Sequence, residues 1–134
     1  MVALDTNVLL YACDRADPKR QQIAFDLIAN SRDGVLLWQV ACEFVAASRK
    51  LTAQGFAASD AWKRLGDFLN LFPLVLPTAG VLTRGEQLHA TYHVSFWDAL
   101  ILAACAEAGV TTFYSEDVPG HPSLSALEIV NPFL

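Results

Sequence analysis

Short apolar runs alternate with stretches of helical period along the 134-residue chain. Val2 to Leu4 is the first run. A helical pattern follows from Asn7 to Cys13 and another from Pro18 to Ala29, where Ile23, Phe25, Leu27 and Ile28 recur at helical spacing. Asp33-Gly34 marks a turn, Val35 to Trp38 reads as a buried strand, and Gln39 to Lys50 as a helix whose two terminal basic residues suit its negative end. After a break at Gly55, Ser59-Asp60 opens a helix through Asn70 with Trp62, Leu65 and Leu69 on one face. Leu74 to Leu76, between Pro73 and Pro77, is an edge strand. A helix from Thr78 to His93 precedes "SFWDALILAACAEAG", which has Ser95 as a cap, Gly109 as a stop and an interior apolar all round, the pattern of a buried helix. Thr111 to Tyr114 and Leu127 to Val130 complete five strands.

Five short apolar strands separated mostly by helices predict an α/β fold, doubly wound: a three-layer α/β/α sandwich around a five-stranded parallel sheet with right-handed crossovers. The chain shows no long linker, repeat or low-complexity segment, so residues 1–134 are expected to form a single domain.

Composition narrows the classes. Hydrophobic residues make up 54% and charged ones 17%, an apolar excess that calls for a partner such as a second copy of the chain. Gln39, Glu43 and Glu107 interrupt every apolar stretch before the ~18 residues of a membrane span, and no secretory leader is recognisable at the start. Cys13, Cys42 and Cys105 are odd in number and widely spaced, which fits core thiols in a reducing cytoplasm better than disulfides or a zinc knuckle. The net charge of -5 argues against a broad basic nucleic-acid face, though not against a local one.

The 14 acids are unevenly placed relative to these elements. Asp5 follows the first strand, Glu43 lies one turn into the helix after the second, Asp98 is in the first turn of the buried helix, and Glu116 and Asp117 follow the fourth strand. In open α/β sheets, strand C-termini and the starts of the following helices line one crevice. Two carboxylates ~5 Å apart at an effective dielectric near 20 repel by roughly 3 kcal/mol, so such a cluster calls for protons or cations. All-oxygen ligands favour Mg²⁺ or Mn²⁺ over Zn²⁺, and a hard cation of this kind suits phosphodiester cleavage. Each acid also has a purely structural alternative: Asp5 as a helix cap, Asp98 as compensation of the helix dipole, Glu43 as part of a solvated stripe with Gln39 and Lys50, Glu116 and Asp117 as turn residues.

"LDTNVLLYA", Glu43 in "QVACEFVAASRK", "SFWDALILAACAEAG", "TTFYSEDV" and the closing "IVNPF" resemble, in this order and spacing, a PIN domain of the kind found in VapC-type toxins of toxin-antitoxin pairs. The resemblance implies a metal-dependent ribonuclease using Mg²⁺ or Mn²⁺, with Asp5, Glu43, Asp98 and Asp117 as catalytic metal ligands. Thr6, Asn7 and Ser115, with Glu116 beside them, would steady the carboxylates or water. It also implies a cognate antitoxin protein as partner, and a preference for RNA over DNA. The chain departs from the family after Asp117, where "VPGHPSLSAL" carries two prolines.

Positive charge concentrates at Lys19-Arg20, Arg49-Lys50, Lys63-Arg64 and Arg84, and Arg49 and Lys50 share a helix with Glu43, which makes them the candidate RNA contacts. Trp97, beside Asp98, is either a base-stacking surface or a core or dimer-face aromatic. His89 and His93 are four apart but lack the Glu and third ligand of a metalloprotease helix. Dehalogenase-like phosphatases want an acid where Asn7 stands, and receiver domains want one in "LPTAG"; the remaining rival is a non-catalytic PIN scaffold acting through a protein partner.

Overall fold

The computed structural model describes residues 1–134. Its strands are β1 (Val2–Leu4), β2 (Gly34–Leu37), β3 (Leu74–Val75), β4 (Thr112–Tyr114) and β5 (Glu128–Val130), and its helices α1 (Thr6–Cys13), α2 (Pro18–Asn30), α3 (Trp38–Ala47), α4 (Ala58–Leu71), α5 (Ala79–Glu86) and α6 (Phe96–Ala108). The strands form one sheet of order β3-β2-β1-β4-β5 with every neighbouring pair parallel. Ala3 stands between Val35 and Phe113 in register, so β1 is central.

The chain steps from β1 outward to β2 and β3, then returns past β1 to β4 and β5. With right-handed crossovers, steps in opposite directions put their helices on opposite faces, giving three layers. The packing agrees: α1 packs on α2 and α3, and α3 on α4, whereas α5 packs on α6. The reversal between β1 and β4 makes the crevice at their C-terminal ends the natural ligand position of such a sheet.

Burial follows this order. Ala3, Leu4, Leu36, Leu37 and Phe113 are buried in the central strands, and β3, flanked by Pro73, leaves Leu74 41% exposed as befits an edge. Gly34 opens β2 where a Cβ would lie 2.6 Å from the Phe72 ring and 2.9 Å from the Ser31 carbonyl. Gly109 stops α6 in the left-handed conformation, φ 76°, that favours glycine.

Several boundaries differ from the sequence reading. The helix expected to run to Lys50 ends at Ala47 and tightens into a 3₁₀ segment, Ser48–Gln54. There the hydroxyls of Ser48 and Thr52 donate to the Val45 and Arg49 carbonyls, competing with the α-helical ladder. The α4 helix begins one residue before Ser59, and Asp60 serves it from inside, its carboxylate accepting from Ala57 N at 2.7 Å. Ala61 and Phe68 face the core, with Phe68 edge-on to Phe44, while Trp62 and Leu69 are exposed. The Thr78 segment breaks after Glu86 into a π turn, Gln87–Thr91, and ends at His93 with φ 62°. Cys42, expected in the core, faces solvent on α3, and the first turn of α6 exposes Phe96 and Trp97. The proline-containing loop after Asp117 is anchored by buried Val118 and Leu124, the latter in a 3₁₀ turn, Pro122–Leu124.

Candidate functional site

Asp5 leaves the central strand and its backbone N still donates to Tyr114 O, so the β1–β4 ladder extends to the crevice. Its side chain does two things at once. Oδ1 accepts from Thr6 N at 2.8 Å, capping α1, and Oδ2 accepts from the Ser115 hydroxyl at 2.7 Å. Asp5 as a whole is 6% exposed. Burial raises its pKa above the ordinary carboxylate value; the Ser115 and Thr6 hydrogen bonds oppose the rise, and the Glu43 and Asp117 charges add to it.

Glu43 is reached from two sides. Thr6 Oγ1 donates to Oε2 at 3.0 Å and Gln39 Nε2 to Oε1 at 2.7 Å. Asn7 Nδ2 donates to Asp117 Oδ2. Ser115 also accepts from Val118 N at 3.0 Å, closing the turn that carries Asp117. Asp98 sits in the first turn of α6 behind Ser95, whose hydroxyl makes no capping bond.

Asp5, Glu43, Asp98 and Asp117 all line one cavity of about 470 Å³, together with Thr6, Asn7, Gln39, Arg49, Lys50 and Trp97. None of the four acids forms an ion pair with a Lys or Arg. Their partners are neutral hydroxyl, amide and backbone donors, which orient a carboxylate without cancelling its charge.

The donor set has the hard, all-oxygen chemistry that Mg²⁺ or Mn²⁺ takes, and the residues fit such an ion in kind. Their spacing is wider than a coordination sphere, since no three His, Cys, Asp or Glu side chains stand close enough together to hold a metal. Glu43 Oε1 and Asp117 Oδ2 accept from the side-chain amides of Gln39 and Asn7 while both acids line the cavity.

Other expected residues fall in and out of this cavity. Arg49 and Lys50 reach its wall from the 3₁₀ segment rather than from α3. Thr6 hydrogen-bonds to Asp5 and Glu43, Asn7 to Asp117 and Ser115 to Asp5. Glu116 does not line the cavity: it turns toward Arg20, 3.8 Å away, and Tyr11, whose phenol is pushed up to about 12 by burial and by the Glu116 carboxylate. Of the other basic positions, Arg20 is engaged by Asp17 and the Tyr11 ring, and Arg84 by Glu107. His89 bonds the Val94 carbonyl and His121 bonds Ser123, both away from the acids.

Sequence patterning places Gln39 only in a solvated stripe with Glu43. The i,i+4 spacing of the two is the signal for their hydrogen bond. Trp97 is 64% exposed, so it is a rim aromatic rather than a core one. It and Gln39 also border a second, apolar cavity of about 460 Å³ lined by Trp38, Leu76, Val81 and Leu82.

No curated protein matches the sequence. Solved structures that share its fold include a toxin-antitoxin complex from Klebsiella pneumoniae, 17% identical with TM-score 0.68, and VapBC2 from Rickettsia felis bound to a DNA fragment from its promoter, 15% identical with TM-score 0.69. Each alignment covers 98% of this chain and 98% of the other. The model of the PIN domain matches residues 2–118, a span that contains β1 to β4 and all four cavity acids, and the chain belongs to the PIN domain family.

Proposed function

We propose that the protein is a Mg²⁺- or Mn²⁺-dependent ribonuclease, the toxin of a VapBC-type toxin-antitoxin module, acting in the cytoplasm. One observation carries the reading: four carboxylates from four separate segments line a single cavity, and every hydrogen bond to them comes from a neutral donor. Family membership and the likeness to toxin-antitoxin structures support it.

Asp5, Glu43, Asp98 and Asp117 would hold the ion, which when bound supplies a Lewis acid for phosphodiester hydrolysis. The chain's own residues do the rest. Ser115 and the Thr6 backbone orient Asp5, Thr6 and Gln39 orient Glu43, and Asn7 orients Asp117, and binding an ion would draw these carboxylates closer together than they stand here. Arg49 and Lys50 on the wall give an acidic protein a local positive contact for the RNA backbone. The cognate antitoxin and a second copy of the chain are the proposed protein partners, and exposed Trp38, Leu76, Leu82 and Trp97 around the apolar cavity offer surface for such contacts.

Incubation of purified protein with mixed short RNAs tests this reading. Cleavage is expected with Mg²⁺ or Mn²⁺, and not with EDTA or in Asp5→Ala and Asp98→Asn variants. No cleavage by the wild type, or cleavage that survives both substitutions, overturns it.

A further inference from the structure

Gln39 Nε2 donates to Glu43 Oε1 at 2.7 Å and to the Trp97 carbonyl at 3.3 Å. Trp97 immediately precedes Asp98, so one amide nitrogen bridges the acid on α3 and the turn that carries the acid on α6. The residue type matters. A primary amide has two hydrogens on one nitrogen and no charge, so it binds a carboxylate and a carbonyl together while leaving the carboxylate negative. Glu at this position has no donor and repels Glu43; Lys has donors but neutralises it.

We propose that Gln39 is a positioning residue for the carboxylate cluster. It sets the orientation of Glu43, ties it to the first turn of α6, and thereby sets the spacing of Glu43 and Asp98 that a divalent cation meets. This rests on the metal-site reading of the four acids given above. The bond lies in a half-exposed part of the cavity, where an i,i+4 side-chain pair adds little to fold stability. Its leverage on a cation is larger, because a group that orients a ligand changes metal affinity about 10- to 100-fold.

The test is titration calorimetry of the purified chain with MnCl₂, paired with thermal unfolding in EDTA, for wild type, Gln39→Met and Gln39→Lys. Gln39→Met keeps the side-chain length without the donor. It is expected to weaken Mn²⁺ binding at least about tenfold while the melting temperature in EDTA stays within about 3 °C. Gln39→Lys is expected to melt no lower than wild type, through its pairing with Glu43, and yet to bind Mn²⁺ more weakly than Gln39→Met. A merely structural side chain would move stability and affinity together. Wild-type affinity in Gln39→Met, or affinity that falls only in step with melting temperature, overturns the role of Gln39 alone. A wild type that takes up no Mn²⁺ overturns the metal reading of the acids, and this proposal with it.

Discussion

The Ser115 hydroxyl donates to Asp5 Oδ2 at 2.7 Å, joining the end of β4 to the end of β1 across 110 positions of sequence. Both residues are buried, Ser115 to 2% exposure. Ser115→Ala removes a donor to a buried carboxylate and the acceptor of Val118 N. The expected loss is about 1–3 kcal/mol of unfolding free energy, read from urea denaturation. A loss indistinguishable from zero would mean that the bond does not survive in solution.

Asp5 sets a pH dependence with a definite sign. Its folded pKa is raised above 3.8, chiefly by burial, so the native state binds the proton more tightly than the unfolded chain. The stability associated with Asp5 is therefore present below 3.8 and is lost as pH rises through the raised value. In EDTA, Asp5→Asn should melt above wild type at neutral pH, and the gap should close toward acid. A gap that widens on acidification contradicts the burial argument.

Divalent cation should reverse that neutral-pH loss. A single site filled at about 100 times its Kd adds about 2.7 kcal/mol of stability. Differential scanning calorimetry with Mn²⁺ should show the rise in wild type and none in Asp98→Asn. Equal rises in both proteins would place the ion elsewhere.

Two adjacent acids are expected to behave differently. Asp117 faces the cavity and Glu116 faces Arg20. Asp117→Asn should lower Mn²⁺ affinity at least about tenfold, and Glu116→Gln should act on thermal stability instead. The reverse pattern in a calorimetric titration would exchange their assignments.

Arg49 and Lys50 are expected to act on RNA through charge alone. In an Asp98→Asn background, replacing both with Ala should make the slope of log K against log salt shallower by about 0.7 for each phosphate that they neutralise on a single strand. Fluorescence anisotropy at several salt concentrations measures it, and an unchanged slope excludes them as phosphate-binding residues.

Much of this architecture was legible in the sequence. Strands β1, β2 and β4 are short, mainly apolar runs bounded by turn or helix signals, as a parallel sheet covered on both faces requires, and the edge strand β5 is half-buried. That alone puts Asp5 and Asp117 at strand ends, where the crevice lies. The buried face of α4 was less accessible, because Trp62–Leu65–Leu69 and Ala61–Leu65–Phe68 have the same period one residue apart. Only the Phe44 contact selects the second. The 3₁₀ segment after Ala47 depends on hydroxyl competition that periodicity does not encode, and the π turn after Glu86 has no signal in the periodicity either. The family resemblance already selects Asp117 over Glu116, whereas the partners that hold Glu116 outside the cavity, Arg20 and Tyr11, lie about a hundred residues upstream and carry no local signal.

The sheet order has a consequence for synthesis. A nascent chain halted before Thr112 already contains Asp5, Glu43 and Asp98, but lacks the strand that seats beside β1 and delivers Ser115 and Asp117. The carboxylate cavity is therefore closed only by a segment that leaves the ribosome after all three of the other acids, and a polypeptide stalled short of it carries an unfinished pocket.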